Sequence, residues 1–219
     1  MPSPLSLGVL ISGSGTNLQA IIDAIERGEL TAAIRVVISN RPDAYGLTRA
    51  RHHGLPAVVM PHKDFSSREA FEAELIKTLQ DYRVELVVLA GFMRLLSPFF
   101  MRAFVQRTMN IHPALLPAFP GTHAQRQAVE RGVRISGATV HFVDEEMDHG
   151  PIIVQAAVPV YPDDTEDSLS ARILVQEHRI YPQAIQLFAE GRLEVCNGRV
   201  IVHNETRSQA ATLRAPEPA

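Results

Sequence analysis

Asn110 and His112 stand two residues apart in the string "TMNIH", and Asp148 stands in the acidic string "DEEMDHGP". If TMNIH is a strand, its side chains alternate, so Asn110 and His112 share a face and can converge on one atom. An amide N–H steadies an oxyanion, and an imidazole exchanges protons near neutral pH. A carboxylate beside an imidazole orients it and favours its charged form, which is what a general acid needs. A plainer reading stands next to this one: the Asn and His anchor a loop, and the aspartate is solvated surface. His112, His123, His141 and Asp148 make a conceivable metal set, but no H-x-H, H-E-x-x-H or Cys–His spacing supports it, and no metal is expected. No G-x-S-x-G is present, and the single cysteine, Cys196, lies near the tail, which removes the usual nucleophiles.

A second chemical signal is "ISGSGTNLQ" at residues 11–19, between a short apolar run and a helical pattern. It is not a dinucleotide fingerprint, because G-x-G-x-x-G is incomplete and the second strand ends at Ser39-Asn40-Arg41 without the acidic residue that binds a ribose. It is not a Walker loop either, since no lysine follows the second glycine as required. What remains is a strand, a tight turn and a helix whose first N–H groups, near Thr16 and Asn17, can hold one anion such as a lone phosphate. The alternative is that Gly13 and Gly15 only make the turn and Thr16 only caps the helix.

These residues need a scaffold, and the apolar patterning predicts one. Residues 5–11, 34–39, 56–60 and 84–92 are continuous apolar runs of the kind buried on both faces of a sheet. Helical spacing fills 17–30 and 66–82, the latter with a Ser66 to Glu69 capping box. A short helix around "SPFFMRAF", the strand TMNIH and the proline-stiffened loop "PALLPAFPG" follow. Residues 136–143 and 152–160 predict an antiparallel pair, and a long helix follows with a start signal at Asp164 and a kink or division at Pro182. The expected fold is α/β, a Rossmann-like, mostly parallel sheet with helices on both faces and an antiparallel C-terminal portion. Residues 1–202 are expected to form one domain and 203–219 a frayed tail.

The chain has 219 residues, 46% of them hydrophobic, and a formal charge of −3 from 21 basic and 24 acidic residues, so no broad positive field draws in nucleic acid or an anionic membrane. The apolar run at Leu7–Ile11 is too short for a signal peptide or a membrane span. A cytoplasmic enzyme acting on small molecules, with no nucleic-acid or membrane partner and existing as a monomer or weak homodimer, is the expectation.

Five strings, "ISGSGTNLQ", "AGFMRLL", "NIHPALLPAFPG", "GATVHFVDEEMDHGPIIVQ" and "QEHRIYP", stand in the order and spacing of the folate-dependent formyltransferases, and the chain resembles that family from about residue 5 to 202. The resemblance implies formyl transfer from 10-formyltetrahydrofolate, as co-substrate, to glycinamide ribonucleotide, a step of purine biosynthesis. It implies that Gly15, Thr16 and Asn17 bind the ribonucleotide phosphate and that Glu177 binds the ribose hydroxyls. Met93, Arg94, Leu95 and Leu96, with Asn110 and the loop Asp144, Glu145, Glu146, Met147 and Asp148, are implied to enclose the pterin. Arg68 is implied to reach the folate's glutamate, and Asn110, His112 and Asp148 match the family's catalytic trio. Leu174 departs from the pattern, being apolar where relatives often carry a polar or basic group. Methionyl-tRNA formyltransferases resemble the same core with a basic C-terminal module, and formyltetrahydrofolate hydrolases the same trio behind an N-terminal regulatory domain. Neither addition is expected here: the sequence ends soon after the resemblance does, and Leu5 already begins the core.

Overall fold

The computed structural model describes residues 3–205, and the expected tail from residue 206 onward lies outside the described residues. The first apolar run forms β1 (Leu5–Ile11), whose side chains alternate between two helical layers. Leu7, Val9 and Ile11 pack with α1 (Thr16–Glu26) and with α6 (Glu166–Ala189), whereas Leu10 packs with Phe71, Leu75 and Leu79 of α3 (Arg68–Asp81). Each fully buried aliphatic side chain contributes about 1.5–3 kcal/mol, so both layers are held by the same strand.

The remaining strands are β2 (Ala32–Ser39), β3 (Ala57–Val59), β4 (Leu86–Leu89), β5 (Thr108–His112), β6 (Ile135–Phe142) and β7 (Ile152–Pro159). They form a 7-stranded sheet in the order β3-β2-β1-β4-β5-β6-β7. Pairing is parallel from β3 to β5 and antiparallel for β5 with β6 and β6 with β7. This is the expected Rossmann-like arrangement. Strand order reverses at β1 and β4, which opens a crevice beyond their carboxyl ends, where such sheets bind ligands.

Several local expectations are corrected. The cap of α3 is Ser67, which accepts from Ala70 N, and not Ser66; the two serines offer the same chemistry one residue apart. The N-cap of α6 is Thr165, paired reciprocally with Ser168, rather than Asp164. α6 runs through Pro182 undivided: proline removes one backbone bond, but Tyr181, Ala184 and Ile185 beside it are fully buried. The Tyr181 hydroxyl, within 2.9 Å of Leu89 O and 3.0 Å of Met109 O, shares its hydrogen between the end of β4 and the body of β5. Not expected were α2 (Tyr45–His52), a single 3-10 turn at His62–Asp64, α5 (Ala124–Arg131) and a hairpin of β8 (Leu193–Cys196) and β9 (Arg199–Val202); α4 (Pro98–Ala103) is the short helix that was.

Asp164 has another task. Its carboxylate accepts from both Arg172 Nη1 (2.8 Å) and Nη2 (2.9 Å), so the guanidinium holds it well below the usual carboxylate range. A depressed carboxyl pKa adds stability that is present above the unfolded value, about 3.9, and is lost as pH falls below it. Asp164→Asn is therefore expected to lose about 1.5–3 kcal/mol at pH 7 and little at low pH, which urea midpoints measured against pH would show. Parallel curves for the two proteins would refute the assignment.

Candidate active site

Antiparallel pairing of β5 with β6 sets Asn110 opposite His141 and His112 opposite Thr139. Asn110 and His112 therefore share a face, and the register adds a third polar side chain to it. His141 Nδ1 lies 2.8 Å from the Phe142 carbonyl and must donate to it, which leaves Nε2 to accept from Asn110 Nδ2 at 3.2 Å. Burial lowers the His141 pKa, and the Phe142 hydrogen bond and the Asp148 charge only partly oppose that; a neutral ring fits its role as acceptor.

The loop after β6 returns Asp148 to the same place. Its Oδ2 accepts from Gly121 N at 2.7 Å and lies 3.3 Å from His112 Nδ1, while Oδ1 is 3.8 Å from His141 Nε2. Asp148 adopts φ 53°, a left-handed conformation uncommon for a residue with a Cβ, which aims its carboxylate inward. Gly150 lets the loop close: a Cβ there would stand 1.9 Å from Phe142 O, the carbonyl that fixes His141. His112 Nε2 donates to Phe119 O at 2.8 Å. The proline loop bearing Phe119 is itself pinned, since Thr139 Oγ1 accepts from Leu116 N (3.0 Å) and donates to Ala114 O (2.6 Å), and Gln155 donates to Leu116 O (2.9 Å). Asn110, His112 and Asp148 thus converge as expected, joined by His141, which the sequence offers only as a conceivable metal ligand. His123 lies apart, 3.5 Å from Glu166.

At the glycine loop, Gly15 is the N-cap of α1 in the left-handed region (φ 69°), and no side chain caps the helix. Thr16 is therefore the first helical residue and not a cap. The N–H groups of Thr16, Asn17 and Leu18 precede the first intrahelical bond, Gln19 N to Gly15 O, and remain available to an anion. A Cβ on Gly15 would meet Gly46 Cα at 2.6 Å, so α2 seals the loop from behind. From α1 to the adjacent α6, Asn17 Nδ2 donates to Glu177 Oε2 at 2.7 Å, joining residues 160 positions apart. Burial raises the Glu177 carboxyl above its ordinary pKa, partly offset by that bond.

The rim between these sites is apolar and open: Met93 is 71% exposed, Leu95 60% and Met147 52%. Met93 N donates to Ser12 Oγ (2.8 Å), which donates to Asn40 Oδ1 (2.6 Å), tying the 93–96 segment to the end of β1. The Leu96 side chain is buried, so only its backbone can serve a ligand. Arg68 Nη2 donates to Leu95 O at 2.7 Å. Asp144 closes its own loop through Glu146 N (3.0 Å) and His149 Nδ1 (2.9 Å), and Glu145 and Glu146 are exposed. A cleft of about 470 Å³ borders Met93 and Arg94. A larger one, about 680 Å³, lies between β7, α6 and β9 and is lined by none of the candidate residues expected from the sequence.

Residues 6–185 match the family described as "Formyl transferase". The chain belongs to the formyl transferase family. The match takes in every candidate residue from Gly15 to Glu177. Among formyl transferases, the phosphoribosylglycinamide formyltransferase of Escherichia coli (strain K12) is 50% identical over 191 residues, 87% of this chain and 90% of that one. The trifunctional purine biosynthetic protein adenosine-3 of Drosophila melanogaster is 50% identical over 205 residues, which are 93% of this chain and 15% of that protein. The solved structure of glycinamide ribonucleotide transformylase 1 from Symbiobacterium toebii is 55% identical, with a TM-score of 0.91 over 92% of this chain and 95% of that one. Among the described residues, no helix of this formyl transferase is long and apolar enough to cross a membrane.

Proposed function

We propose that this formyl transferase moves the formyl group of 10-formyltetrahydrofolate to the amine of glycinamide ribonucleotide, giving formylglycinamide ribonucleotide and tetrahydrofolate. The observation that carries the reading is the convergence of Asn110, His112 and Asp148 at the end of β5, in a chain half identical to phosphoribosylglycinamide formyltransferases. The ribonucleotide amine attacks the formyl carbon, and negative charge grows on the formyl oxygen. Asn110, with one amide hydrogen held by His141, turns the other to that oxygen. His112 is held at both ring nitrogens, by Phe119 O and by Asp148, which fixes the orientation of the ring beside the oxyanion. Asp148 helps relay the proton from the new ammonium to the departing folate nitrogen. The C–N bond to the folate then breaks. Binding holds the two reactants together, and charge stabilisation supplies the rest.

The free N–H groups at Thr16 and Asn17 receive the phosphate, Glu177 the ribose hydroxyls, and the apolar rim at Met93, Leu95 and Met147 the pterin. Formation of product from 10-formyltetrahydrofolate only when glycinamide ribonucleotide is added tests the reading. Equal formyl loss to water, or transfer to methionyl-tRNA instead, would replace it with one of the rival activities. Asn17→Ala is expected to raise the ribonucleotide KM about tenfold or more, because it leaves the buried Glu177 without its donor, while the folate KM stays within about twofold. Equal changes in both constants would remove Asn17 and Glu177 from the nucleotide site.

A further inference from the structure

Glu72 is 1% exposed and, with Glu177, one of two buried acidic residues among the described residues. Burying a carboxylate costs several kcal/mol unless it is paired and fully hydrogen-bonded, so its partners indicate its purpose. Oε1 accepts from Arg68 Nε at 3.1 Å and from Ser97 N at 2.8 Å, and Oε2 accepts from the Ser97 hydroxyl. Arg68 opens α3, Ser97 is the N-cap of α4, and residues 93–96 lead directly into Ser97. Arg68 closes the ring through its bond to Leu95 O.

Packing α3 against α4 does not require this. An apolar residue at position 72 among Phe71, Leu75 and Ile76 would serve at no greater cost, since buried ion pairs replaced by well-packed apolar groups are often neutral or better. A carboxylate does something an apolar group cannot: it fixes a guanidinium plane and a loop backbone to each other. With Nε held by Glu72 and Nη2 by Leu95, Arg68 keeps Nη1 without a protein partner among the described residues, on a side chain 42% exposed at the rim.

We propose that Glu72 is a positioning residue for the formyl donor: anchored on Ser97, it sets the Arg68 fork to meet the donor's glutamate. The proposal rests on the reading of this chain as a folate-dependent formyl transferase.

The test compares two donors, 10-formyltetrahydrofolate and the same molecule without its glutamate, 10-formyltetrahydropteroate. Glu72→Gln keeps size and an acceptor but loses the charge. It should raise the KM of the full donor about tenfold, the scale of one charge-assisted hydrogen bond. The KM of the truncated donor, the KM of the ribonucleotide and kcat should stay within about twofold. Ser97→Ala should show the same pattern more weakly, and it decides the matter if Glu72→Gln does not fold. In an Arg68→Ala background, Glu72→Gln should add nothing. Equal shifts for both donors, or a joint shift of kcat and ribonucleotide KM, would make Glu72 a packing residue and overturn the proposal. Absence of ribonucleotide-dependent transfer by the wild type would overturn the functional reading and this proposal with it. Normal transfer with an unchanged donor ratio in Glu72→Gln would overturn the proposal alone.

Discussion

Asn110→Ala is expected to lower kcat about 10²- to 10³-fold, the cost of removing one oxyanion donor, with KM for both substrates nearly unchanged. The size follows from how the amide is held. His141 Nδ1 donates to the Phe142 carbonyl and burial disfavours the charged ring, so Nε2 accepts one Asn110 hydrogen and the orientation of the other is set before substrate arrives. A donor already oriented costs no reorganisation when the charge develops. Alanine removes the donor and leaves His141 Nε2 short of a partner, an added stability cost of about 1–3 kcal/mol that a melting curve would report separately. His141→Ala should also act on kcat, because it frees the Asn110 amide to rotate. If Asn110→Ala keeps kcat within about tenfold, Asn110 is a loop anchor and the oxyanion is stabilised elsewhere.

The parts of this site that sequence reasoning reached are those whose signal is local. Buried parallel strands read as unbroken apolar runs, which is why β1 at Leu5–Ile11 was found with its bounds, and a strand's period of two put Asn110 and His112 on one face without a structure. His141 was weighed only as a metal ligand, because its place opposite Asn110 depends on the register of β5 with β6, and register is not written in either strand alone. Glu72 was hidden for a related reason: its partners are Arg68 on its own helix and Ser97 on the next, and only tertiary packing joins them. The β8–β9 hairpin is a different case, since "VCNGRV" carries the Asn-Gly turn signature, and Asn197 and Gly198 do adopt φ 50° and 73°. That signal lies inside the expected domain of residues 1–202, in a stretch to which the apolar patterning assigns no element. At Pro182 the local rule was weighted too heavily, because one lost backbone bond does not outweigh the burial of Tyr181, Ala184 and Ile185.

His112→Ala and Asp148→Asn should each lower kcat by about 10²- to 10⁴-fold, the range for a positioned acid–base group, and the double mutant should be little worse than the worse single one. The reason is shared contact: Asp148 Oδ2 faces His112 Nδ1 at 3.3 Å, and the other ring nitrogen is spent on Phe119 O at 2.8 Å, so the carboxylate is the ring's only charged partner at that position among the described residues. Asparagine suits the test. It is among the residues that best tolerate the left-handed φ of 53° at position 148, and its side-chain oxygen can still accept from Gly121 N, so the loop keeps its shape while the charge is lost. Groups that work as one unit give strongly non-additive losses, because once the unit is broken the second removal has nothing left to take. Steady-state kcat for the four proteins of the cycle, at saturating ribonucleotide and folate, supplies the measurement. Losses that multiply would mean that His112 and Asp148 act on separate steps, and normal turnover by Asp148→Asn would leave Asp148 as a loop residue bonded to Gly121 and nothing more.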